Sequence, residues 1–112
     1  MNSVETVRVF VWQKVVFRLE SGETRVRPGR SSLIEHTPPI LKKIGQCAVY
    51  HEDERHAITW NFGIPLSENK RLLAHAALVE TFGEESAQDF SWYGVETRIE
   101  TREAVALGIY VQ

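Results

Sequence analysis

Between Cys47 and Gly83 the chain reads as two alternating strands, a breaker and one amphipathic helix, and no other stretch limits the fold as tightly. A turn over Glu52 to Arg55 pairs His51 with His56, Val49 with Ile58 and Cys47 with Trp60. Together with Phe62, these residues form one apolar face. The opposite face collects Ala48, Tyr50, Thr59 and Asn61, so a slip of one residue would bury the polar set. Gly63-Ile64-Pro65 then leads to Ser67, which caps a helix over about Glu68 to Phe82 that Gly83 ends. At the helical period Leu72, Ala76, Val79 and Phe82 share one stripe, while Lys70, Ala74 and Thr81 point away.

The flanking segments read as hairpins that this helix could cover. Val4 to Glu20 alternates, with Val7, Val9, Val11, Val15, Phe17 and Leu19 on one parity and Arg8, Phe10, Trp12 and Lys14 on the other. Ser21-Gly22 signals a turn that returns the chain through Thr24 and Val26. A short helix follows Thr37, which would cap it, with Pro38-Pro39 in its first turn, Lys42 and Lys43 in its last and Gly45 closing it. At the other end, Trp92 to Gln112 reads as a third hairpin. A loop at Thr101 to Glu103 aligns Ile99 with Val105, Thr97 with Leu107, Val95 with Ile109 and Tyr93 with Val111. The fold expected is α+β: a single domain over residues 1–112 with an antiparallel sheet of about six strands in three hairpins. One main helix packs on one sheet face, and a short helix lies between hairpins 1 and 2.

Composition narrows the class of protein without naming its chemistry. At 112 residues with 43% hydrophobic and 25% charged side chains, the chain resembles an ordinary globular domain rather than a disordered or fibrous one. No apolar run approaches the ~20 residues of a membrane-spanning helix, and the amino terminus lacks the pattern of a secretory signal. Cys47 is the only cysteine, which excludes an internal disulfide and fits a cytoplasmic location. The charge is uneven. Residues 1–45 carry eight Lys/Arg against four Glu, a net of +4, and residues 46–112 carry five against eleven, a net of −6.

Four constellations could carry function. His51 and His56, cross-strand neighbours in the expected register, would sit ~5 Å apart and could share a metal, although a third protein ligand is missing. Cys47 shares their face, but four residues of strand put it ~13 Å from His51, too far for a nucleophile and its base. His75, with Trp60, Phe62 and Trp92, would line a small-molecule pocket if space remains between helix and sheet. Arg8, Phe10, Trp12 and Lys14, with Arg18, Arg25 and Arg27 across the hairpin, make a basic face with two aromatics, the type that stacks unpaired bases; the plainer alternative buries Phe10 and Trp12 beneath the short helix. Glu52-Asp53-Glu54 and Glu84-Glu85 read as solvated turns.

No assembled catalytic set, cofactor motif or phosphate loop is present. The chain therefore reads as a small, soluble, non-catalytic binding module acting through protein–protein contact. Self-association as a homodimer is expected through an open apolar edge on a final strand, Ala104 to Val111. Single-stranded nucleic acid is the second partner class and a small molecule the third; a membrane is not expected.

Overall fold

A computed structural model describes residues 4–18, 37–52 and 57–111. In chain order these form β1 (Thr6–Arg18), α1 (Pro39–Gly45), β2 (Ala48–Glu52), β3 (Ala57–Leu66), α2 (Glu68–Phe82), a 3-10 turn (Glu84–Asp89), β4 (Phe90–Glu100) and α3 (Thr101–Ala106). The architecture is α+β with an antiparallel sheet, but six strands in three hairpins is not what forms. Among the described residues the sheet has three long strands and one short one, in the order β2-β3-β1-β4.

The central correction concerns the partners of β1. The local hairpin expected to bring Thr24 and Val26 against it falls outside the described residues. Within them, β1 lies between two strands from distant parts of the chain. Val15 pairs with both Trp60 of β3 and Trp92 of β4, and Phe17 with both Ile58 and Phe90. A β-branched, apolar strand suits that central position, because its side chains find partners on both sides.

A bulge in β1 then divides the sheet into two halves. Trp12 pairs with Gly94, but Lys14 pairs with Tyr93, so Gln13 is the extra residue and the parity of β1 reverses there. On the β3 side the ladder passes from Trp12–Leu66 to Lys14–Asn61, so the Gly63-Ile64-Pro65 breaker is looped out within β3. After the bulge Val15 and Phe17 face α2; before it, Val9 and Val11 face the opposite side. A single parity for the whole strand was the sequence expectation, and one inserted residue undoes it.

The main core lies between α2 and the bulge-to-Arg18 half of the sheet. Val15, Phe17, Ile58, Trp60, Leu66, Ala74 and Leu78 are all fully buried there. α2 begins and ends where its local signals place it: the Ser67 side chain accepts from the Lys70 N–H at 3.3 Å, and Gly83 terminates it at φ 101°. Its buried stripe keeps Phe82, and Val79 at its margin, from the expected one but is otherwise rotated. Ala74, Leu78 and Phe82 point inward, spaced four apart, whereas Leu72 is 51% exposed and Ala76 faces water. The stripe follows where Ser67 leaves the sheet, because the exit direction sets the rotation of the helix about its axis.

α1 forms where the prolines and lysines indicate, with two changes in role. Thr37 does not cap it; the buried hydroxyl instead accepts from the Trp60 indole N–H at 3.1 Å. Gly45 is its last residue rather than its left-handed cap, which is Gln46 at φ 47°. A Cβ on Gly45 would stand 2.5 Å from Cδ1 of Phe62, so close approach is what requires glycine.

The third hairpin is replaced by a strand and a helix. β4 continues to Glu100, and Thr101 to Ala106 turns into α3 instead of returning as a strand. Ala and Glu favour helix there, and Gly108 at φ 73° closes it, with the Ile109 and Tyr110 N–H groups both donating to the Ala104 carbonyl. Ala104 and Ile109 then pack on Val9 and Val11, forming a second small core on the sheet face opposite α2.

Candidate functional site

The bulge at Gln13 and the start of α2 create the most distinctive surface of the molecule. β1 residues before the bulge with the parity of Phe10 and Trp12 continue the helix-side face beyond the end of α2. There Phe10 is 51% exposed and meets Trp12 edge-on, their ring centroids 4.9 Å apart. Trp12 in turn meets Trp92 edge-on at 6.4 Å, and Trp92 stacks in parallel on Phe62 at 5.9 Å. The four rings form a row running from open sheet into the core. Phe10 stands open, and Trp12 is half-buried against the main core.

Gly94 explains how Phe10 can lie across the neighbouring strand. A Cβ there would come within 2.6 Å of the Phe10 ring and 2.7 Å of the Val11 carbonyl oxygen. The absence of a side chain lets the ring settle on the backbone of β4, a recurring device for covering a strand glycine.

The first turn of α2 fixes the row. Glu68 accepts from the Trp12 indole N–H at 3.0 Å and from the Arg71 guanidinium, whose Nη2 stands 3.1 Å from Oε2. Arg71 lies 4.8 Å from the Trp12 ring centre and 5.7 Å from that of Trp92, a cation held between two π faces. One turn on, Nδ1 of His75 accepts from the Trp92 indole N–H at 3.1 Å. The Arg71 contact holds the Glu68 carboxyl below its usual range, and Glu68 in turn raises Arg71. Burial, with Arg71 nearby, holds the His75 imidazole below its usual value. Both indole N–H groups are thus spent on internal partners.

Of the basic-aromatic set, the structure brings together Arg8, Phe10 and Trp12 and separates Lys14. The bulge turns Lys14 to the opposite face, where its ammonium lies 5.1 Å from the Tyr93 ring centre. Arg8 pairs with Glu96 at 3.4 Å, so the face carries mixed charge rather than a cationic stripe. Arg18 ends β1 opposite Ala57; its side chain, together with Arg25 and Arg27, lies outside the described residues.

The pocket set divides similarly. Trp60 and Phe62 are core residues, and His75 and Trp92 are joined by their hydrogen bond. A cleft of about 340 Å³ lies at the other end of the β1–β4 ribbon, lined by Val4, Glu5, Glu100, Thr101 and Arg102. It is far from His75 and shares none of the expected lining.

For the histidine pair, the β2–β3 register sets Ile58 opposite His51, and Val49 opposite Trp60, two residues from the expected pairing. A shift of two preserves which residues share a face but not which stand opposite. His56 lies outside the described residues. Among the described residues no group of three or more His, Cys, Asp or Glu could hold a metal. Cys47 is half-buried against the main core, and that burial raises its thiol pKa.

Sequence reasoning missed Glu68 and Arg71, whose spacing of three on a helix was the available signal. It also missed Gly94. No family model matches the chain, and neither a curated protein nor a solved structure matches it. Among the described residues no helix is long and apolar enough to cross a membrane.

Proposed function

We propose that this domain is a non-catalytic module that binds another protein through the Phe10–Trp12 face. The observation that carries the reading is the rigid seating of an exposed Phe10 on a half-buried Trp12. Trp12 is locked by Glu68 and Arg71, and Phe10 is propped on it over Gly94. A pre-set aromatic surface beside an arginine is the composition that anchors protein interfaces, since little side-chain freedom is left to lose on binding. The rim is polar and of both signs: Arg8, Glu96 and Arg98.

Nucleic-acid binding ranks second on the same face. Arg8 and Arg71 are already paired with carboxylates, and Lys14 is on the far side, which leaves fewer cations to track phosphates. A small-molecule site around His75 ranks third, because its ring nitrogen already accepts from Trp92.

Capture from an extract of the source cells tests the first reading. Immobilised wild-type protein should retain a discrete protein that Phe10→Ser and Trp12→Ala lose and Leu73→Ser keeps. Retention unaffected by Phe10→Ser contradicts it. An oligonucleotide bound with an affinity that falls steeply with salt and is lost on Trp12→Ala would move the assignment to nucleic acid.

A further inference from the structure

β4 is the outer strand of the sheet among the described residues, and its eleven residues include neither proline nor lysine. Such a strand presents, on the side that no described strand covers, a row of backbone N–H and C=O groups on which another strand can add. Two of its apolar side chains stand open, Tyr93 at 42% and Val95 at 39% exposure. Its charges are also unfinished. Arg98 stands directly across the β1–β4 ladder from Arg8, a like-charge pair that costs stability. Arg8 turns to Glu96, and Arg98 is left with the Thr6 hydroxyl at 3.3 Å and no carboxylate among the described residues.

We propose that the free edge of β4 pairs antiparallel with β4 of a second copy of this chain, about a two-fold axis at Thr97. The sheet then runs unbroken through both copies. In that register Glu96 faces Arg98 of the second copy and Arg98 faces its Glu96, so the unpaired arginine gains its carboxylate twice over. On the opposite face Val95 meets Ile99 and Ile99 meets Val95, extending the apolar rows begun by Val7, Val9 and Val11. Moving the axis by one residue sets Glu96 against Glu96 or Arg98 against Arg98, and an axis at Val95 leaves Glu96 facing Gly94. An axis at Ile99 would set Arg98 against Glu100, but β4 ends at Glu100, so it would pair only residues 98 to 100. Charge and strand length together therefore select the register at Thr97. α3 turns inward over β1: the Thr101 N–H donates to the Glu5 carbonyl at 2.9 Å, and Ala104 packs on Val9 and Val11. The pairing would also set two Phe10–Trp12 faces side by side.

This inference deepens the interaction reading by naming a second copy as the partner of one surface, and it rests on that reading only in this sense. Light scattering over a range of concentrations tests it. Wild type should be dimeric, and Glu96→Arg and Arg98→Glu should each weaken the dimer by on the order of tenfold or more. An equimolar mixture of those two variants should restore it, because every facing pair is then Arg with Glu. Thr97→Cys in a Cys47→Ala background should oxidise to a covalent dimer, and Val95→Cys in the same background should not. A wild-type monomer at the highest concentration, or a dimer indifferent to both charge reversals, overturns the proposal. Neither charge change removes Phe10 or Trp12, so a wild type that stays monomeric while partner capture remains intact sinks the edge pairing alone.

Discussion

The indole N–H of Trp92 points at Nδ1 of His75, 3.1 Å away, so the imidazole must keep that nitrogen unprotonated and carry its proton on Nε2. A helix residue and a strand residue seventeen positions apart are joined by one bond that exists only while the ring is neutral.

The pH dependence follows from that bond. Burial, then Arg71, hold the His75 pKa below its ordinary value in the folded state, so the unfolded chain takes up the proton first. The contribution is complete above the ordinary imidazole value and is lost as pH falls from there toward the depressed folded value. With the site only partly buried, the loss should be at most about 1 kcal/mol. Urea unfolding should show a wild-type stability that drops across that window, and a smaller drop in His75→Leu; equal slopes would remove His75 as the cause.

Leu72 and Leu78 should behave oppositely. Leu78 is fully buried in the main core and Leu72 stands in water. Leu78→Ala should cost about 2–5 kcal/mol, and Leu72→Lys should stay within roughly 0.5 kcal/mol of wild type. Chemical denaturation of the two variants checks the rotation of α2 directly, and a large effect of Leu72→Lys would restore the stripe expected from sequence.

Trp60 and Thr37 form a buried polar pair, so breaking either side leaves the other unpartnered. Thr37→Val strands the indole N–H, and Trp60→Phe strands the hydroxyl and removes ring volume as well. Each should cost about 1–3 kcal/mol for the polar group alone, and a double-mutant cycle should show the two effects falling short of additive.

Gly94 should resist rescue. Gly94→Ala meets both the Phe10 ring and the Val11 carbonyl, and only the ring can move aside. The variant should lose about 1–3 kcal/mol, and adding Phe10→Ala should not recover it, because the backbone clash remains. Melting temperatures of wild type, both single variants and the double variant decide the matter.

Where information was local, the sequence alone was informative. Ser67 and Gly83 delimit α2 because a cap and a left-handed stop act within a few residues of themselves. Ile58, Trp60 and Phe62 share the buried face of β3 as alternation indicated, although the β2–β3 register was off by two, because alternation sets which residues share a face while the turn geometry sets which stand opposite. Parity placed Phe10 and Trp12 on one face of β1, but it could not decide between an open surface and burial beneath the short helix. The fastening of Trp12 to Glu68 and Arg71 was not legible either, since those residues lie more than fifty positions away.

The amino-acid order determined that this chain builds an α+β domain around one capped helix with alternating strands on either side. It could not choose the neighbours of β1, because strand pairing is a competition among segments that all alternate equally well, and the winner is set by how the whole apolar set packs. It could not show that Gln13 would be squeezed out of register, since a bulge answers to two partner strands at once. Nor could it decide the last segment. Val105, Leu107 and Ile109 alternate like a strand, yet Ala104 and Ile109 reach Val9 and Val11 only when Thr101 to Ala106 coils and Gly108 turns the chain.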